Sequence, residues 1–232
     1  MYSDVFFEIL GKEMKLRFEE EKTMFSMPIV MGLLCVHMFT YWSVAIGAAI
    51  YYNRTIPIRC YLVVLRNQLI YSVWPTLLVG LFYTPVPFTW VTPDVYGWVS
   101  HQGWKMVYRL PGAICVVDVV FHCVHRMLHS TRWIYVLFHS QHHSWKDPLG
   151  ASALFSSGLE HCISNIFPVL IAAAVCGHDE LTLFFWVALS SANTVLAHAT
   201  KHGQHHKHHV DRTCNFGVGL LLCDRLCMTR TK

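Results

Sequence analysis

Charge is scarce in this chain of 232 residues: Asp, Glu, Lys and Arg together make up 14% of it, against 54% hydrophobic residues. Soluble domains carry roughly 25% charged residues, so an ordinary soluble domain is excluded, as are disorder and coiled coil. The net charge is only +4 and the basic residues are scattered, which argues against a nucleic-acid partner. The nine cysteines sit mostly in apolar runs and include no Cys-x-x-Cys pair, so they read as reduced thiols and not as a disulfide framework. No Glu-x-x-His occurs, which removes the carboxylate-rich site of soluble di-iron bundles. His-Glu-x-x-His, Gly-x-Ser-x-Gly and Gly-x-x-x-x-Gly-Lys are missing too, so hydrolysis lacks its usual signatures. Flavin, nicotinamide and haem fingerprints are equally absent; electrons for any redox chemistry come from a partner.

Apolar runs and aromatic residues fill the chain instead, with 8 Trp, 10 Tyr and 14 Phe, types that suit membrane interfaces. Residues 1–26 interleave Lys12, Lys15, Arg17 and Lys22 with Glu13, Glu19, Glu20 and Glu21. They are too charged for a secretory signal and read as an amphipathic segment on a membrane surface. Residues 27–52 carry no charge, enough to cross a hydrocarbon core that needs about 20 apolar residues. A second apolar stretch runs from Tyr61 to Tyr83, and Pro75 is predicted to kink it. With Pro85, Pro87 and Pro93, residues 84–103 read as an interfacial loop that ends a first membrane unit, 27–103. A third helix is predicted over 104–130. Two shorter apolar pieces, 162–176 and 181–197, flank Gly177-His178-Asp179-Glu180 and read as a hairpin dipping into the bilayer and returning. The expected fold class is all-α: an integral membrane helical bundle of about four to five helices. Asn53-Arg54-Thr55 is an N-glycosylation sequon that would report orientation.

Histidine is the second anomaly. Of 16 in the chain, all but His37 and His101 lie between His122 and His209. His125 and His129 stand at i and i+4, on one face of a helix end. His139, His142 and His143 follow as His-x-x-His-His. His198 and His202 repeat the i, i+4 spacing, and His205, His208 and His209 repeat the triad. One such run could be a solvated tail; four, placed at the ends of membrane helices where ionisable groups are costly, point to imidazole ligands for Zn, Cu, Fe or Ni. Because a ligating imidazole needs its other ring N–H held, Asp118, Glu160, Asp211 and Asp224 are candidate supports. His122 reads as packing, His161 and His178 as interfacial polar residues, and His206 as pointing away.

The stretch Asp118-Val-Val-Phe121-His-Cys-Val-His125-Arg126-Met-Leu-His129 resembles the opening motif of the fatty acid hydroxylase/sterol desaturase superfamily. Phe138-His139-x-x-His142-His143, Pro148-Leu149-Gly150, Glu160, His205-x-x-His208-His209, Asn215-Phe216 and Asp224-Arg225-Leu226 continue the likeness over roughly 118–229. Among its branches, the spacing is similar to the cholesterol 25-hydroxylase and C4-methylsterol oxidase group. The chain departs from the pattern where only Gly203 and Gln204 separate the third and fourth histidine groups. It also departs at Ser157-Gly158 before Glu160 and at Cys227-Met228-Thr229.

The resemblance implies a catalytic unit over 104–232 whose ten histidines form a cytosolic cap. That cap would hold two Fe ions (Zn as an alternative occupant), and O2 would be used to attack an unactivated C–H bond of a lipid. Asp118, Glu160 and Asp224 would support the ligands. It further implies an endoplasmic reticulum membrane enzyme fed electrons by cytochrome b5 and its reductase, with a sterol ahead of a fatty acyl chain as substrate. The alternatives are a desaturase or alkyl-ether monooxygenase on the same cap, a histidine-rich metal transporter, or a non-catalytic lipid-binding relative. A transporter would carry its ligands near the bilayer midplane, whereas these lie at helix ends.

Overall fold

The computed structural model describes residues 27–80, 103–201 and 203–231. The amphipathic 1–26 segment, the 84–102 part of the interfacial loop, His101 and His202 therefore lie outside the described residues. Helix α1 (Met27–Tyr51) contains no charge and is apolar on every side, the pattern of a helix with no face reserved for water. Asn53, in the left-handed region at φ 49°, turns the chain through the sequon towards α2 (Ile58–Arg66). A π-helical turn, Asn67–Tyr71, joins α2 to α3 (Val73–Gly80). Pro75 has no N–H for the carbonyl of Tyr71, four residues back, and its ring crowds that carbonyl. The irregular turn falls there, and the Cys162 thiol donates to the Tyr71 oxygen at 3.3 Å.

Beyond the undescribed stretch, α4 (Met106–Leu128) carries the first histidine pair to its end. A one-turn helix at Gly158–Glu160 and a π turn at His161–Ile166 lead into α5 (Phe167–Val175). Asp179 caps α6 (Glu180–Ala199) by accepting from the Thr182 N–H and pairs with Arg109 at the start of α4. Two short helices, α7 (Gln204–Val210) and α8 (Leu222–Leu226), complete the cap. Among the described residues there is no strand.

Among the described residues, four helical stretches are long and apolar enough to cross a membrane: Ile29–Tyr51, Gly103–Leu128, Gly158–Val175 and Glu180–Ala199. The third and fourth exceed the hairpin arms expected from hydropathy. Their polar ends, Glu160-His161 and His198, are helical as well, so each arm has the length to cross and not merely to dip. Large apolar side chains cover the outside, among them Phe39, Ile50, Trp74, Val107 and Val175. In water such a surface would drive association; against lipid it is satisfied. The fold is an all-α integral membrane bundle.

Two buried clusters fix the helix directions. One, at the end away from the histidines, joins Ile29 and Leu33 of α1, Ala113 of α4, Ala172 and Ala173 of α5, and Leu183 and Trp186 of α6. The other, beneath the histidines, joins Tyr41, Ala45, Cys60 and Val64 to Ala151–Phe155 and Val195. So α1, α4 and α6 run towards the cap while α2, α3 and α5 run away from it. At this end Gly150 lets the 150–154 turn lie on α6, since a Cβ there would stand 2.8 Å from the Val195 side chain. The sequon also lies on the cap side: Arg54 pairs with Asp147 at 3.0 Å and donates to the Pro148 carbonyl.

Candidate metal centre

Nine of the ten candidate ligands converge, and the folded chain sorts them differently from their order in sequence. Donor nitrogens of His125, His129, His139, His143 and His208 lie within 4.8 Å of one another, and those of His142, His198, His205 and His209 form a second such group. Each His-x-x-His-His triad is therefore split. Residues at i and i+4 of a helix lie about 40° apart around its axis, while i+3 and i+4 are separated by about 100°. On α7 His205 and His209 accordingly share one group, and His208 faces the other. His139 and His143 share the first group, and His142 crosses to the second. The two pair-plus-triad halves of the sequence thus exchange one histidine each. The groups adjoin, with the rings of His143 and His209 at 4.7 Å between centroids.

The outer ring nitrogens show what the inner ones must be. A carbonyl oxygen can only accept, so an Nδ1 bonded to one carries the proton and leaves Nε2 as a bare lone pair. That is the case for His125 against the Phe216 carbonyl (2.6 Å), His198 against Thr194 (2.8 Å), His208 against Cys214 (2.7 Å) and His209 against Trp145 (2.9 Å). His139 does the same to the Glu160 carboxylate at 2.7 Å. The inner nitrogens then face each other: His125 Nε2 to His139 Nε2 is 3.0 Å, and His205 Nε2 to His198 Nε2 is 3.1 Å. Two lone pairs, as at His125 and His139, have no proton to share. The His209 Nε2 is buried with no hydrogen-bond partner among the described residues. Five converging imidazoles with their outer N–H groups pinned, beside His142, His143 and His205 whose outer Nδ1 atoms have no partner among the described residues, form the donor set of a cation, and imidazole suits a borderline transition metal.

Burial and neighbouring imidazoles keep these rings neutral. Burial first, then His125 and Arg212, lowers His129 to about 3. Burial is also the leading cause for His139, His142, His143, His205, His208 and His209, all held well below the usual histidine range, with nearby imidazoles adding to it. A site that must not be protonated before it binds a cation is thereby ready at neutral pH.

The expected supports divide. Of the four carboxylates, Glu160 meets an imidazole N–H directly. Asp224 acts one step removed: it accepts from the N–H groups of Phe216 and Gly217 at 2.9 and 2.7 Å and from the Thr229 hydroxyl, so it holds the loop segment whose carbonyl receives His125. Asp118 anchors the cap: its carboxylate accepts from the Cys223 N–H at 2.9 Å, with no hydrogen bond to a candidate ligand among the described residues. Asp211 is exposed and bonds Thr213. His122 packs on the Phe216 ring edge, His161 bonds Ser72, His178 lies against Trp186, and His206 faces Asp147. Sequence reasoning missed the carbonyl acceptors. Thr194 stands four residues before His198 on one helix, so helical geometry could have found it; Trp145 and Cys214 carry no such signal.

Two cavities adjoin the cluster and a third lies next to them. A chamber of about 20 Å³ lies directly under it, bounded by His125, His139, His142, His198, His205 and Glu160. Beside it, between α4, α5, α6 and the 217–221 loop, is a mostly apolar cavity of about 550 Å³ that reaches His205. A pocket of about 80 Å³ sits between α1, α3, α5 and α6.

A family model described as fatty acid hydroxylase matches residues 110–229, which is 120 of the 232 residues. Among curated proteins, the chain is 31% identical over 87 residues to the human "Fatty acid hydroxylase domain-containing protein 2", covering 38% of this chain and 26% of that protein. It is 31% identical over 128 residues to "Fatty acid hydroxylase ahd1" of Mycosarcoma maydis (52% and 33%). To "Methylsterol monooxygenase 2-1" of Arabidopsis thaliana it is 32% identical over 100 residues (43% and 36%). The matched part thus spans about a quarter to a third of these relatives' lengths. No solved structure gives a significant match. With the family's model matching more than half of this chain and the histidine motifs folded into two adjoining groups, the chain belongs to the fatty acid hydroxylase family.

Proposed function

We propose that this protein is a membrane-bound lipid hydroxylase or oxidase that works with two metal ions, iron in the cell, held by the two histidine groups. The observation that carries this reading is the placement of a metal-ready imidazole cluster against a large apolar cavity with only a one-atom-wide chamber between them. His202, which lies outside the described residues, completes the proposed set of ten imidazole ligands. When bound, reduced iron supplies the activation of O2, with the balance RH + O2 + 2 e⁻ + 2 H⁺ → ROH + H2O.

The chain's own residues supply the rest. Neutral imidazoles would add no negative charge to the ions they hold, leaving those ions strong Lewis acids. Glu160 and the Phe216, Cys214, Thr194 and Trp145 carbonyls fix ring orientation. The apolar cavity selects a lipid and keeps bulk water from the reacting carbon. A sterol is favoured over a fatty acyl chain, in keeping with the methylsterol monooxygenase among the relatives. Electrons come from an external donor such as cytochrome b5. The exposed Lys201, Arg212, Arg225 and Arg230 of the cap would meet an acidic partner of that kind, in the endoplasmic reticulum membrane.

Lipid mass spectrometry of cells making the intact chain or a His142→Ala, His143→Ala double variant, which removes one ligand from each group, tests the proposal. An oxygenated lipid should form only with the intact chain; a product carrying a new double bond would favour a desaturase, and identical profiles would reject catalysis.

A further inference from the structure

The three cavities share a boundary. Asn165, in the π turn before α5, and Thr194, on α6, line the large cavity, the chamber beneath the histidines and the side pocket alike. Thr194 is also the residue whose carbonyl holds His198. Asn165 makes no side-chain hydrogen bond among the described residues, although a carboxamide in a membrane interior is costly to leave unpartnered. A chain entering the chamber from the large cavity must pass these two side chains, and whatever extends beyond continues into the side pocket.

The volumes say how much chain each space holds. A cavity of about 150 Å³ accommodates benzene, or roughly 25 Å³ per carbon. On that scale the large cavity of about 550 Å³ holds roughly 20 carbons, the chamber of about 20 Å³ holds one, and the side pocket of about 80 Å³ holds about three. The apolar lining of the side pocket includes Leu34 of α1, Val73 of α3 and Val187 of α6. Several of its polar members are already engaged, His37 with Ser191 at 2.7 Å and Ser72 with His161 at 2.9 Å, while Asn165 and the Ser190 hydroxyl have no hydrogen-bond partner among the described residues. What it offers a guest is mainly apolar surface.

We infer that the side pocket is the seat for the end of the lipid, so that the carbon beneath the histidines lies within about three carbons of that end while the body fills the large cavity. Asn165 and Thr194 are the specificity-determining residues at the junction. The inference rests on the proposed lipid oxidation only for what happens to that carbon; the binding geometry stands apart from it.

The test uses two octadecanoic acid photoprobes with the full-length protein in detergent, one carrying a diazirine at carbon 17 and one at carbon 9. Adducts are mapped by peptide mass spectrometry. The carbon-17 probe should label side-pocket residues such as Leu34 and Val73, and the carbon-9 probe should label large-cavity residues such as Ile114 and Leu189. Filling the pocket with Val73→Trp should move the carbon-17 adducts out of it without changing metal content, and Leu34→Phe should do the same where the first variant folds poorly. Carbon-17 adducts confined to the large cavity, carbon-9 adducts in the side pocket, or no adduct in the pocket from either probe would overturn the inference. Because labelling needs no turnover, predicted adducts together with unchanged cellular lipids would reject the hydroxylase reading and leave the seat standing. In any oxygenated product, a new oxygen deep in mid-chain would count against the seat as well.

Discussion

Removing the Glu160 carboxyl group takes away the acceptor for the His139 Nδ1–H, which among the described ligands is the imidazole held by a side chain and not by a backbone carbonyl. Outer supports of this kind are worth about 10–100-fold in metal affinity. Glu160→Ala should therefore lower metal retention by about that factor, measured by elemental analysis after dialysis against a graded chelator. Asp118→Asn should leave retention nearly unchanged, because that side chain only anchors the Cys223 backbone. Equal losses in the two variants would show that Glu160 has no direct part.

The neutral rings also set a pH dependence. An unfolded histidine takes up its proton near 6.5, whereas His129 in the folded protein does so only at about 3. Between those values the unfolded chain binds more protons, so stability must fall as pH falls. The other cap imidazoles shift in the same direction. The melting temperature of the metal-free protein should be flat above pH 7 and drop steadily from pH 6.5 towards 4. A flat profile through that range would mean the rings are not buried as neutral bases.

Among the elements, the junction of the π turn after α2 with the one-turn helix before α5 is the tightest. A Cβ on Gly158 would stand 2.4 Å from the Tyr71 ring, over which the Arg66 guanidinium lies. Gly158→Ala must displace that ring and should cost about 1–3 kcal/mol, the range for overpacking, read as a lower melting temperature. The family's usual residues differ at Ser157-Gly158, and here the glycine has its own reason, the Tyr71 ring. Helix direction carries a second expectation. Asn53 and Lys146 lie on the same face, bound together through Arg54 and Asp147. Single cysteines placed at the two positions should react with an impermeant thiol reagent from the same side of the membrane. With the cap in the cytosol, the sequon at Asn53 should stay unglycosylated. Labelling from opposite sides would contradict the arrangement of α1 and α2.

In the whole molecule, what could be read from the sequence and what could not separate along a physical line. Long uncharged runs give membrane helices because the hydrocarbon core demands length and apolarity, both local properties. The four histidine groups were legible for the same reason, since i, i+4 spacing puts rings on one face. Their redistribution was not legible: whether His142 joins His139 or His198 depends on how the 139–145 turns meet α6 and α7, which is tertiary. Carboxylates were the natural guess for the supports, yet four of the five described supports are backbone carbonyls, groups every residue carries and no sequence marks. The hairpin arms were read short because hydropathy stops at the first polar residue, while the helices run on to bring Glu160 and His198 to the centre.

The division of the imidazoles into two separate groups is the claim from which the chemistry follows, and metal stoichiometry measures it most directly. Purified full-length protein, loaded with Fe(II) without oxygen and passed through a desalting column, should retain two ions per chain. A His129→Ala, His143→Ala variant should retain one, in the second group, and a His198→Ala, His209→Ala variant one, in the first. Two ions retained by both variants, or none by the intact chain, would contradict it.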